Sequence, residues 1–168
     1  MPLGVDYADQ DCSLARTIEV VGERWTLLIL RDCFLGVSRF RDFEARLDIS
    51  KAVLTRRLTD LCDAGLLERH SGPERAGYGL TPLGRSLWPV LFTLLEWGEA
   101  HLAPDGPRRR FEHRECGRVL EAGARCPACG RAPDLEEIDT YAGPGAVHPR
   151  PDAVSARLRA RRALLTPL

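Results

Sequence analysis

Between Ser38 and Gly65 two short amphipathic patterns meet at a tight turn, and this pair constrains the fold more than any other stretch of the chain. In the first, Phe40, Phe43 and Leu47 recur on one helical face while Arg39, Arg41, Asp42, Glu44 and Arg46 fill the other. After Asp48-Ile49, Ser50 is an N-cap for a second helix reaching about Ala64, with Leu54, Leu58, Leu61 and Cys62 inward and Gly65 as its stop. Two amphipathic helices joined by a tight turn make a helix-turn-helix unit.

The flanks extend this unit. Upstream, Leu14, Ile18 and Val21 repeat at helical spacing behind Ser13, a candidate N-cap. Beyond Gly22, Trp25, Leu28, Ile29, Leu30 and Phe34 are apolar over a wide arc, as in a central core helix that stops at Gly36. Downstream the period shortens: 66–70 and 78–81 are strand-length, and the turn formers between them predict a hairpin. Thr81-Pro82 then opens a long apolar helix to about His101. In it Leu87, Val90, Leu91, Leu94 and Leu95 form a core stripe while Trp88, Phe92 and Trp97 spread around the cylinder. A domain of this size cannot bury all of that surface, so a second copy is expected to cover part of it. Pro89, inside this helix, predicts a kink.

Helix, helix, turn, helix, hairpin, long helix is the order of a winged helix-turn-helix domain. The expected fold class is mainly α (α+β), a winged helix-turn-helix domain over 1–103 followed by a small zinc-ribbon-like module over 111–140. A linker at 104–110 joins them, and a Gly/Pro-rich stretch and basic tail occupy 141–168. Lys plus Arg equals Asp plus Glu, 24 against 24, so no global cationic field draws the chain to nucleic acid and any contact must be local. No run approaches the roughly 20 apolar residues of a membrane span, and the N-terminus is acidic where a signal peptide is basic. A cytoplasmic protein without membrane contact is expected.

The motifs CSLARTIEVVGERWTLLILRD at 12–32, SRFRDFEARLDISKAVLTRRLTDLCDAGLLER at 38–69 and YGLTPLGRSLWPVL at 78–91 follow one another in order and spacing. With them the chain resembles the HxlR-type winged-helix regulators over nearly all of 12–101. That resemblance implies a homodimer joined by its first and last helices, a recognition helix in the major groove of double-stranded DNA, and a wing on the phosphate backbone. The residues agree in part. Opposite the inward leucines of the second helix lie Ala52, Arg56 and Thr59, flanked near its start by Lys51 and Thr55. Arg56 suits a guanine O6/N7 pair, Thr55 a thymine methyl or a phosphate, and Lys51 a phosphate. Arg39 and Arg75, the latter at the wing tip, are further phosphate partners, whereas Asp60 and Asp63 repel DNA toward the helix end. Repression by occupying a promoter is the expected outcome; a winged-helix and zinc-ribbon adaptor that binds another protein is the alternative. No motif supplies the chemistry of an enzyme.

Six cysteines divide into two groups. Cys12 precedes the first helix, where a thiol can lose its proton more easily, and related regulators sense oxidants there; a small residue at a helix start is the simpler reading. Cys33 and Cys62 fall on apolar helix faces as inert core thiols. His113, Cys116, Cys126 and Cys129 instead form two knuckles, His-x2-Cys-Gly and Cys-x2-Cys-Gly, whose spacing closes a tetrahedral site for one structural zinc per chain. His101 and His148 are alternatives to His113. A redox disulfide within Cys126-Pro-Ala-Cys129 lacks the surrounding βαβ pattern, and the abundance of thiols disfavours a Cys116–His113 catalytic pair. Arg157, Arg159, Arg161 and Arg162 give the tail positive charge on an expected helix, either for phosphate contacts or as a solvated end. A small-molecule or redox effector is left open.

Overall fold

The computed structural model describes residues 7, 10–72, 76–148 and 150–168. Its first helix, α1 (Ser13–Val21), is capped by Cys12 rather than Ser13: the Cys12 backbone is extended and no side chain accepts from the first turn. Ala15 and Val21 face the core, whereas Leu14, Ile18 and Val20 are exposed. Helix α2 (Thr26–Phe34) is the centre of the core, with Ile29, Leu30, Cys33 and Phe34 buried. Even Asp32 in it is fully buried, and its Oδ1 accepts from Arg31 Nε (2.9 Å) and Arg46 Nε (2.8 Å).

Helix α3 (Phe40–Leu47) ends at Asp48 in the left-handed region, which an Asp tolerates, and α4 (Lys51–Asp63) starts three residues later. The Ser50 hydroxyl accepts from the Val53 amide, as its capping role requires. Leu54, Leu58 and Leu61 anchor α4 in the core. The wing is the antiparallel pair β1 (Leu67–His70) and β2 (Gly77–Leu80), in register from Leu67 opposite Leu80 to His70 opposite Gly77.

Thr81 accepts from the Gly84 amide and starts α5 (Pro82–Arg85), but the helix does not run on. It breaks at Ser86-Leu87, and α6 (Trp88–His101) begins anew with Pro89 in its first turn. A first-turn proline removes no helical hydrogen bond, so the expected kink is replaced by a boundary. The buried side of α6 also differs from the expected stripe. Trp88, Leu91 and Phe92 are inside, while Val90, Leu94 and Trp97 are exposed.

A second sheet explains that choice. Its strands β3 (Arg109–His113), β4 (Arg118–Val119), β5 (Ile138–Ala142) and β6 (Arg162–Ala163) lie in the order β4-β3-β5-β6, all neighbours antiparallel. Phe111 of β3 packs edge-on to Trp88 and Phe92 at centroid distances of 5.1 and 5.7 Å, and Trp88 meets Phe34 at 5.3 Å. One aromatic cluster therefore joins the winged helix to the sheet, and the side of α6 that carries Trp88 and Phe92 is the side covered. The expected linker is correspondingly short, since Arg109 and Arg110 already belong to β3.

The basic tail is part of this sheet. Helix α7 (Ala153–Arg157) occupies only the start of the expected helical run; Leu158 and Leu164 are buried and Arg162-Ala163 pairs with β5. Arg161 forms a fork with Glu112 (2.6 and 3.1 Å), Arg159 donates to the Ala146 carbonyl, and Arg162 donates to the Thr166 and Pro167 carbonyls. These three arginines are thus built into the C-terminal structure rather than carried on a free helical end, and of the three Arg161 is the one that pairs with carboxylates. Among the described residues no helix is long and apolar enough to cross a membrane.

Candidate nucleic-acid interface and metal centre

Burial of Leu54 and Leu58 turns the opposite face of α4 outward, and Lys51, Thr55 and Arg56 are all exposed there. Among the described residues neither Lys51 nor Arg56 pairs with a carboxylate. Thr55 donates its hydroxyl to the Lys51 carbonyl (2.8 Å), which leaves its methyl and an oxygen lone pair for a ligand. Arg57 is different: half-buried, it reaches Asp60 (3.1 Å) and Glu23 (3.9 Å), and so ties α4 to the α1–α2 turn. The i, i+3 spacing of Arg57 and Asp60 was the available sequence signal for this pair. Arg39, exposed at the start of α3, lies beside Phe40, Arg41 and Ala76 at the base of the wing. A bond from the Tyr78 amide to the Ser38 carbonyl (2.8 Å) fixes that base. Arg75 lies outside the described residues.

The second constellation sits at the far end of β3. Ligand atoms of His113, Cys116, Cys126 and Cys129 all lie within 4.8 Å of one another. Both knuckles have the same backbone: the Gly117 amide donates to the His113 carbonyl and the Gly130 amide to the Cys126 carbonyl, each at 2.8 Å. Gly117 and Gly130 have φ of 60° and 72°, a region that glycine enters without strain. His113 is fully buried at the end of β3, and its Nδ1 lies 3.6 Å from Cys129 Sγ. Its Nε2 is buried without a hydrogen bond, 3.8 Å from Glu115. Burial of the Cys126 thiol is outweighed by the amides of Cys129 and Ala128 and by the His113 ring, which hold it down to about 6.

A buried imidazole aimed at three thiols is what a metal needs and what an apolar core does not. Tetrahedral zinc at Zn–S distances of about 2.3 Å sets its ligand atoms about 3.8 Å apart, so the cluster needs only a small contraction to close on one ion. On the other side of the ring Glu115 and Glu137 also approach; both are bridged by Arg131 (3.3 and 3.7 Å), which reaches Cys129 as well. Neither His101 nor His148 belongs to the cluster; the His101 ring packs on Trp97 instead. Cys3His can hold a metal ion with no position left open for chemistry.

The lone cysteines have separate surroundings. Cys12 is exposed at the start of α1. Cys33 is buried, and burial, helped by the nearby Asp32, pushes its thiol well up. Cys62 is half-buried and also raised, chiefly by burial.

The order of helices, hairpin and long helix is that of a helix-turn-helix transcriptional regulator. Residues 20–106 match the family model described as HxlR-like helix-turn-helix, and the chain belongs to the HxlR family. It is 39% identical over 137 residues to an uncharacterized HTH-type transcriptional regulator, Rv3095, of Mycobacterium tuberculosis strain H37Rv, a match covering 79% of this chain and 87% of that protein. A match of that length necessarily runs past residue 106 into the C-terminal sheet. The uncharacterized HTH-type regulator YdeP of Bacillus subtilis strain 168 is 31% identical over 126 residues, covering 71% of this chain and 94% of YdeP. Among solved structures, PA1607, described as a candidate transcription factor, superposes with a TM-score of 0.61 at 34% identity over 67% of this chain and 81% of its own.

Proposed function

We propose that the chain is a cytoplasmic homodimer that binds a specific operator in double-stranded DNA and represses by occupying it. The observation that carries this reading is the face of α4, where Lys51, Thr55 and Arg56 stand exposed over three buried leucines. Arg56 reads a guanine, Thr55 offers its methyl to a thymine, and Lys51 and Arg39 hold phosphates, with Arg75 on the wing as a further phosphate partner. Leu14, Ile18 and Val20 on α1 and Val90, Leu94 and Trp97 on α6 support the dimer, since water otherwise meets an apolar surface on both helices. In this reading one zinc per chain, held by His113, Cys116, Cys126 and Cys129, staples the C-terminal sheet and supplies folding stability there. Cys12, exposed at a helix start, is the candidate for redox sensing.

A nuclease footprint on the DNA upstream of the chain's own gene tests the proposal. Two protected half-sites related by twofold symmetry, with centres about 34–36 Å apart or a multiple of that, are expected of such a dimer. Protection without half-site symmetry, or none on any upstream fragment, would contradict it.

A further inference from the structure

A cleft of about 450 Å³ opens where α6 meets the C-terminal sheet, outside both sites described above. Leu95 of α6 and Leu102 just beyond its end form the apolar wall; Arg31 and Arg46 come from α2 and α3, and Arg109 and Arg159 from the C-terminal unit. A smaller adjoining hollow of about 200 Å³ shares the same four arginines together with Arg108.

The charges in this place do not balance. Arg31 and Arg46 both pair with the buried Asp32, and Asp152, paired with Arg150, lies close enough to Arg46 to feel its charge. Arg109 donates to the Thr140 hydroxyl (3.2 Å) and the Leu158 carbonyl (3.0 Å), Arg108 to the Leu102 carbonyl and Arg159 to the Ala146 carbonyl, all of them neutral oxygens. Among the described residues no carboxylate pairs with these last three guanidinium groups. Two acidic residues line the cleft. Glu99 is occupied by the backbone amides of Arg108 (2.9 Å) and Arg109 (3.1 Å), and Asp105 is the second. Burial first, and the neighbouring Arg46 and Arg31 after it, push the Arg109 guanidinium down to about 10 against the pull of Asp32.

We propose that this cleft binds a small organic carboxylate, with its apolar body against Leu95 and Leu102 and its carboxylate among the arginines. The volume lies within the range of small-molecule sites, and a planar guanidinium fork matches a carboxylate in two parallel hydrogen bonds. An apolar wall suits an organic anion better than a bare phosphate, which would leave the leucines wet. A recess is also the wrong shape for the convex backbone of a duplex. Because the walls come from both units of the chain, the ligand would bridge the winged helix and the zinc-binding sheet.

Calorimetric titration of the full chain at constant ionic strength tests this, with benzoate and octanoate as probes and acetate and inorganic phosphate as comparators. It needs no DNA, so its outcome is separate from that of the operator. Saturable binding of benzoate or octanoate, one per chain and about tenfold tighter than acetate or phosphate, is expected. Arg108→Ala/Arg159→Ala should lower that affinity about tenfold with little change in melting temperature. If the double variant fails to fold, Arg159→Lys, which keeps the charge and loses the fork, should still weaken binding severalfold. The proposal is overturned if neither probe binds, if the variants bind as the parent does, if acetate and phosphate bind as tightly as the larger acids, or if a nonspecific duplex displaces benzoate.

Discussion

The amide of Leu165 donates to the carbonyl of Phe34 at 2.8 Å, tying the last residues of the chain to the last residue of α2. Two residues on, Gly36 has φ of 90°, and a Cβ there would stand 1.9 Å from the Thr166 carbonyl oxygen. The C-terminus thus lies flat on a stretch of backbone that only glycine permits. Gly36→Ala should cost about 2 kcal/mol or more of stability, through both the backbone conformation and the clash. Urea denaturation of the full chain, parent against variant, checks this; an unchanged midpoint would mean that the tail is not docked.

Phe111 couples the two units through Trp88 and Phe92. Phe111→Ala should lose about 3–5 kcal/mol, because the cavity opens in a shared core rather than at a margin. Parent protein should unfold in one transition by circular dichroism and by tryptophan fluorescence. Two separated transitions in the parent would show that the sheet is an independent appendage.

For the metal centre, native mass spectrometry should find one zinc per chain in the parent and none in Cys126→Ser/Cys129→Ser. His101→Ala and His148→Ala should retain it, whereas His113→Ala should lose affinity by orders of magnitude. Zinc retained in the double cysteine variant would overturn the ligand set. Hydrogen exchange should rise across β3 and β5 on zinc removal.

Glu112 carries a pH dependence. Its carboxyl lies below the ordinary range because of the hydrogen bond from Arg161, against a cost of burial and with help from Tyr141. A depressed carboxylate stabilises the fold above its unfolded pKa and loses that contribution as pH falls through the lower folded value. Glu112→Gln should therefore melt lower than the parent at neutral pH and converge on it in acid. A constant difference in melting temperature at every pH would remove Glu112 from the acid response.

The parts legible in the sequence were those with local punctuation. Ser50 and Gly65 bracket α4, Thr81-Pro82 starts α5, and a glycine after Cys116 and after Cys129 marks each knuckle. What stayed hidden depends on distant partners. Because α6 is apolar over most of its surface, its sequence does not say which side meets Phe111: Trp88, Leu91 and Phe92 are buried, whereas Val90 and Leu94 of the expected stripe are exposed. Strand β6 is two residues long within an Ala/Arg-rich run, so helical propensity masks a pairing set by β5. The cationic cleft was equally invisible, since Arg31, Arg46, Arg109 and Arg159 come from four separate segments.

Fluorescence polarisation of the full chain with labelled duplex from the DNA upstream of its own gene, at fixed salt, tests the operator-binding role most directly. Saturable binding is expected, displaced by the unlabelled upstream duplex and not by an equal amount of unrelated DNA. Lys51→Ala/Arg56→Ala should weaken it by about 10- to 100-fold while leaving the melting temperature in place. Equal affinity for every duplex, or a double variant that binds like the parent, would contradict the assignment of α4 as the reading helix.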